Sequence, residues 1–178
     1  MNRYIITLFL SGSILLQGCV SVISTDVLQK VNRNIAFSDL MKNPLHYKGE
    51  MVLLGGVIVQ VTNMQDGSLL EVYQTEIDFQ DRPIHPDVSE GRFMAWDNGF
   101  LDNEIYEKGR EVTIAGTVLG ERTKKIGELI YRYPTLSIQE IHLWKKKEGS
   151  GPIEPYFWYP MPGPWSPWGP WNFMYWAY

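Results

Sequence analysis

One cysteine stands in 178 residues, at position 19. A lone thiol cannot close an intramolecular disulfide or build a multi-cysteine metal site, so Cys19 is either incidental or has chemistry of its own. Three other groupings hold reactive types. His85, Asp87 and Ser89 supply the residue types of a nucleophilic triad within five positions. Triads, however, are assembled in space from separate elements, and no Gly-x-Ser-x-Gly elbow surrounds Ser89, so a polar loop is the simpler reading. His46, His85 and His142 lie far apart, with no His-Glu-x-x-His pattern, and no metal site is expected from them. Asp97-Asn98-Gly99 with Asp102 and Glu104 is rich in oxygen ligands but lacks the calcium-loop spacing, and reads as a solvated turn. The other carboxylates are scattered, and sequence gives no separation from which to nominate an acid and a nucleophile. No cofactor is expected.

The neighbourhood of Cys19 is more informative. Arg3 is the only charge before it, and Tyr4 to Leu16 is apolar or small throughout. As a helix this run would span about 20 Å, short of a hydrocarbon core of about 30 Å. It reads as the apolar region of a signal peptide, because a buried amphipathic helix would show a polar face. Leu16-Gln17-Gly18-Cys19 resembles the bacterial lipobox, with Gln17 standing where a small residue is more usual. The resemblance implies cleavage after Gly18, a diacylglycerol thioether on Cys19 and acylation of its new amine. Two or more chains anchor stably where one, at about 0.8 kcal/mol per buried methylene, is marginal. Val20, rather than Asp, follows the cysteine. By the lipoprotein sorting pattern this implies the outer membrane of a two-membraned bacterium.

A second candidate surface lies at the other end of the chain. Glu148 to Pro152 has linker composition, and Ile153 to Tyr178 is dense in Pro, Trp and Tyr with one charge, Glu154. Proline at this density excludes a regular helix or a central strand, and so a transmembrane span. Pro164 to Trp171 repeats every three residues, the period of polyproline II, which would line Trp165, Trp168 and Trp171 along one edge about 9 Å apart. Such indoles favour membrane interfaces and also stack on sugar faces and partner proteins. The bland alternatives are a tail folded back over the domain or a solubility hazard, since so much aromatic area is costly to leave wet.

The elements between these two ends read as strands. A charge of −4 gives no general field for nucleic acid, and 44% hydrophobic residues suit a globular core. Residues 20–34 are polar and tether-like. Ser38 can cap a short helix that Pro44 stops. Met51 to Val61 is rich in β-branched residues, with Gly55-Gly56 marking a bulge or sharp bend, and Asp66-Gly67 marks a hairpin turn. Further strands are expected at Ser68–Gln74, Gly91–Trp96, Glu111–Val118, Ile126–Tyr133 and Thr135–Trp144, with a turn at Gly120 to Lys125 and a long loop over 77–90. Val112, Ile114 and Val118 share one face and Thr113 and Thr117 the other. Leu136, Ile138, Ile141 and Leu143 are out of phase, which predicts a bulge or a twist. About six short strands, one short N-terminal helix and glycines inside strands predict an all-β, OB-like closed or partly open barrel. An immunoglobulin-like sandwich is the alternative, though sandwich strands are usually more regularly spaced.

An ordered series of short pieces resembles the Slp family of outer-membrane lipoproteins, named for starvation. It includes Pro44-x-x-Tyr47-x-Gly49, Gly55-Gly56-Val-Ile58, Ser89-x-Gly91-Arg-Phe93, Gly99-Phe-Leu-Asp102, Tyr106-x-x-Gly109-Arg110, Ile126-Gly127-Glu128, Tyr133-Pro134 and His142-Leu-Trp144. It runs from about residue 19 to 144, leaving the tail after Ser150 outside. The resemblance implies an outer-membrane address, a barrel and a link to slow or starved growth, with no established catalytic residue. The expected organisation is a signal peptide over 1–18, a lipidated tether over 19–36, a barrel over 37–147 and an aromatic tail over 148–178. The expected role is non-enzymatic: a membrane-anchored binding or structural lipoprotein whose tail contacts lipid, glycan or an envelope protein, and not nucleic acid. The alternative is an envelope hydrolase of glycan or lipid using loop residues 85–102.

Overall fold

The computed structural model describes residues 21–146. Five strands form a closed barrel: β1 (Met51–Met64), β2 (Gly67–Thr75), β3 (Arg92–Asp97), β4 (Glu111–Ile126) and β5 (Leu129–Leu143). Their order around the barrel is β1-β2-β3-β5-β4, and β4 returns to β1. All neighbours are antiparallel except β3 and β5, which pair in parallel over Met94–Trp96 and Thr135–Ser137. This connectivity is that of an OB-type Greek-key barrel, as the strand pattern predicts.

Closure depends on β1 serving two neighbours. Its first half pairs with β4 from Met51 to Val57, and its second half pairs with β2 from Gly55 to Met64. Gly55 and Gly56 stand where the strand changes partner. A Cβ at Gly56 would collide with the Tyr73 carbonyl oxygen, and one at Gly55 with the Ile77 side chain. The predicted bend is therefore a crossing point where backbone and loop come too close for any side chain. The register slips three residues beyond Gly56, at Val59 between Ile58 and Gln60. In β5 the predicted irregularity is a bulge at Gln139, because Ala115 faces Glu140 and Gly116 faces Ile138.

Among the described residues there are five strands rather than the six expected. Ile126–Tyr133 and Thr135–Trp144 were expected as two strands, but residues 129–143 form one, and β4 runs on through Gly120 to Ile126. The turn is at Gly127, whose φ of +58° suits glycine. Pro134 does not break β5. It pairs only with Glu121 of β4, just before pairing with β3 begins, and a strand edge tolerates a missing N–H. The outer halves of β4 and β5 thus form a two-stranded arm over 120–134.

The barrel interior is filled by alternating residues: Ile58 of β1, Leu70 and Val72 of β2, Phe93 of β3, Ile114 of β4 and Leu136 of β5 are all 0–1% exposed. Two short helices precede the barrel: α1 (Thr25–Leu28) and α2 (Phe37–Lys42), followed by a 3₁₀ turn (Pro44–Tyr47). Helix α2 adds Phe37 and Leu40 to the core, and Phe37 meets Phe93 edge-on at 6.1 Å. Its N-cap is Ala36, not Ser38, and makes no side-chain cap. The helix is held by its two apolar anchors instead, as expected for a six-residue helix too short to be stable alone.

Candidate functional site

Residues 19–36, read as tether, are bound to the barrel in their described part, 21–36. Ser21 Oγ donates to the Asp81 carboxylate, and Ile23 is buried. Ser24 donates to Glu140 through its backbone N–H at 3.0 Å and its hydroxyl at 2.6 Å. Asn32 N–H donates to the Met51 carbonyl at 2.8 Å. Polar composition therefore did not mean a loose segment, because these polar groups find partners on the outer wall.

Asp81 is the centre of this arrangement. It lies in the loop between β2 and β3, only 4% exposed, at a φ of +63°. Arg33 stands 3.8 Å from its carboxylate. Its carbonyl accepts the Thr113 hydroxyl of β4, and Thr113 in turn accepts the Trp144 indole N–H at 2.9 Å. Next to it, Arg82 donates through Nε and Nη2 to Glu111 Oε2, both at 3.0 Å, and its guanidinium lies 5.1 Å from the Trp144 ring centre. Thr113 faces away from Val112 and Ile114, as the alternation predicts, yet it is fully buried because this loop covers it. The first described residues, the loop around Asp81 and Trp144 at the close of β5 thus meet at one end of the barrel. The sequence had signalled none of Ser21, Asp81 or Thr113; their types are ordinary, and only the long loop with Pro83 marks the place.

The outer face of β2 and β3 is closed by the arm. Cross-strand pairs there are Leu69 with Trp96, Glu71 with Met94 and Tyr73 with Arg92. Glu71, 8% exposed at its side chain, accepts from Arg92 at 2.8 Å, Lys124 at 2.7 Å and the Tyr133 hydroxyl at 3.0 Å. Tyr131 of the arm accepts the Arg92 N–H at 2.9 Å. Burial alone would raise the Glu71 carboxyl, but the bonds from Lys124, Arg92 and Tyr133 outweigh it and hold the group below its ordinary value. Burial and the bond to Glu71 push the Tyr133 phenol up to about 12. At the opposite end from Asp81, an open groove of about 600 Å³ runs between the β1–β2 turn and the arm. It is lined by Met64, Asp66, Trp96, Leu119, Glu121 and Arg122.

The residues that sequence nominated for chemistry are not brought together. His85 makes a 3.4 Å pair with Glu76, both well exposed. Ser89 Oγ donates to the Gly91 carbonyl, and Asp87 is exposed. Asp97 and Asp102 each accept an N–H two residues on, from Gly99 at 2.6 Å and Glu104 at 2.9 Å, so both cap turns. His46 and His142 pack edge-on against Tyr47 and Trp144. Among the described residues no three His, Cys, Asp or Glu side chains are grouped to hold a metal. Cys19, Trp165, Trp168 and Trp171 lie outside the described residues.

The described residues thus form an OB-type barrel to which the chain is already bonded at Ser21. The model of the Outer membrane lipoprotein Slp family matches residues 16–175, so the chain belongs to that family. It is an outer-membrane lipoprotein. Outer membrane protein Slp of Escherichia coli K12 is 30% identical over 151 residues, 83% of this chain and 79% of that one. The uncharacterized lipoprotein YeaY of the same organism is 28% identical over 164 residues, 89% of this chain and 84% of that one. The match extends through residue 175, so the tail lies within the family's span rather than beyond it. Among solved structures, the Schizosaccharomyces pombe Stn1–Ten1 complex is similar at a TM-score of 0.36 and 14% identity, covering 62% of this chain and 76% of that one. A small single-stranded DNA-binding protein from Streptomyces coelicolor is similar at 0.33 and 13%, covering 53% and 93%. Likeness this distant carries nothing about ligands.

Proposed function

We propose that the protein is a non-enzymatic envelope lipoprotein, cleaved after Gly18 and lipidated on Cys19, with the barrel as a rigid platform held at the membrane. On this reading residues 1–18 are the signal peptide, 37–147 the platform and 148–178 a contact segment. The observation that carries it is the chain's entry into the fold. Two residues after the lipobox cysteine, Ser21 is already bonded to Asp81, at the barrel end where Trp144 leads out toward the tail. The tail's departure point thus lies at the anchored end, which supports Trp165, Trp168 and Trp171 as contacts for lipid, glycan or an envelope protein. Nucleic acid is left out of the proposed partners because the chain carries a charge of −4 and Arg92 and Lys124 on the β2–β3 face are tied to Glu71.

A role in starved or stationary growth, which the family resemblance implies, is part of the same proposal. The deciding experiment is fractionation of cells making the wild type or Cys19→Ser. The wild type is expected in the outer membrane, and the variant in the soluble envelope fraction. Retention of Cys19→Ser in the membrane would show that something other than acylation holds the protein there. The hydrolase reading finds no support in the geometry of residues 85–102, where Ser89, Asp97 and Asp102 are engaged in local turns.

A further inference from the structure

The anchor and the barrel are joined by almost no slack. Cys19 is two residues from Ser21, so their Cα atoms lie at most about 7 Å apart. Ser21 is bonded to Asp81 and Ile23 is 2% exposed, so the chain has no freedom to swing the barrel away from whatever holds Cys19. Ser21, two residues on, is bonded to the turn that carries Asp81. That turn is closed by Asp81 N–H donating to the Asp78 carbonyl at 3.0 Å, and the Asp78 carboxylate accepts from Gln80 N–H at 2.8 Å and Arg82 N–H at 2.9 Å. Thr113 and Glu111 tie the same turn to β4. It is therefore a fixed feature of the barrel wall.

Phe79 stands at the tip of this turn and is 75% exposed. A phenyl ring held open to water on a rigid turn is costly unless something apolar covers it. The charges around it are already engaged. Asp81 is met by Ser21 and Arg33, Arg82 by Glu111, and Asp78 by the turn's own N–H groups. No unsatisfied carboxylate on this turn opposes contact with a hydrocarbon surface.

We propose that the Asp78–Arg82 turn is the membrane-facing end of the barrel, with Phe79 inserted into the lipid interface beside the acyl chains and the Asp66 end pointing away from the bilayer. This rests on lipidation at Cys19 and adds to it a fixed orientation and a second, non-covalent contact. The occupant is lipid rather than a protein because the short link brings the bilayer itself to this end of the fold. Strand β2 separates the two ends, since the Asp66 turn precedes it and the Phe79 loop follows it. Its nine residues span about 26 Å.

The test uses the full-length lipidated protein reconstituted in phosphatidylethanolamine–phosphatidylglycerol vesicles, with Phe79→Cys or Asp66→Cys bearing an environment-sensitive fluorophore. Intact mass first establishes that Cys19 carries its acyl groups. Missing acyl mass sinks the anchoring reading, independently of orientation. With lipidation present, nitroxide lipids should quench the probe at position 79 about threefold more than at 66, given an end-to-end separation close to a hydrocarbon core's thickness. The emission at 79 should also shift to the blue. Equal quenching at both positions, or stronger quenching at 66, overturns the proposal. A ten-residue Gly-Ser insertion between Val20 and Ser21 adds roughly 17 Å of flexible reach. It should at least halve the contrast, and an undiminished contrast would also overturn it, since the short link would not then be what orients the barrel.

Discussion

Glu71 shows how one buried carboxylate can organise a surface. Three donors from three strands converge on it, and two of them, Arg92 and Lys124, keep part of their side chains in water. Replacing it with alanine strands Tyr133 and leaves two cations without their partner. We expect a cost of about 2–3 kcal/mol, below the full price of breaking a buried pair because the cations can turn to solvent. For a domain of this size that is a fall in Tm of roughly 6–12 °C by thermal denaturation. The pH dependence has a defined sign. The Glu71 carboxyl is depressed in the fold, so its contribution is complete above its ordinary value of 4.5 and is lost as pH falls through the folded value. The stability gap between wild type and Glu71→Gln, measured by urea denaturation, should therefore shrink as the pH is lowered below 4.5 and stay flat from pH 6 to 8. Tyr133 acts oppositely: its pKa is raised to about 12 from 10, so its contribution is complete below 10 and is lost as pH rises through about 12.

Among the elements, β1 and the arm have different vulnerabilities. Gly56 meets the Tyr73 backbone, which cannot move without breaking the β1–β2 pairing, whereas Gly55 meets the Cγ2 methyl of Ile77, which lies outside the five strands and gives way only if its loop shifts. Gly56→Ala is therefore expected to cost about 3 kcal/mol and Gly55→Ala roughly 1 kcal/mol, in equilibrium unfolding. Equal costs would mean that the loop at Ile77 is as fixed as the strand. The arm over 120–134 leans on the β2–β3 face through Lys124, Tyr131 and Tyr133. In Glu71→Ala its amides should exchange at least tenfold faster by hydrogen–deuterium exchange, while those of β1 between Val52 and Ile58 change little. Thr113 links the Asp81 loop to Trp144. Thr113→Val keeps the shape but removes both bonds, and should cost about 2 kcal/mol while exposing residues 76–84 to faster exchange.

At the scale of the whole molecule, the proposed orientation turns the Asp78–Arg82 turn toward the bilayer and the groove at Asp66 away from it. The family span through residue 175 places the aromatic tail within the shared design. If the tail is a contact surface, protein made as Cys19→Ser and ending at Ser150 should lose co-sedimentation with lipid vesicles or peptidoglycan. The full-length Cys19→Ser protein should bind one of them with a blue-shifted tryptophan emission. Identical behaviour of the two lengths would remove the tail from the proposal.

The sequence determined what depends on short-range chemistry. The resemblance of Leu16–Cys19 to a lipobox is legible because such a signal is linear, and the apolar run before it is judged by length alone. Alternation in Glu111–Val118 marked the core face of β4, and Asp66-Gly67 marked the β1–β2 turn, because side-chain period and turn stereochemistry are local. The out-of-phase apolar residues of β5 marked the bulge at Gln139. The tertiary structure decided whatever depended on which segments meet. Ile126–Tyr133 and Thr135–Trp144 read as two strands because the edge position of Pro134 between them is visible only when β3 and β4 are in place. Polar residues 21–36 read as tether because Asp81 and Glu140, their partners, stand 60 and 116 residues further on. Thr113 read as facing away from the core, yet a loop distant in the chain buries it, as the arm buries Glu71. Hydrogen bonds and desolvation act over a few ångströms in space, and closing the barrel is what brought these remote residues within that range.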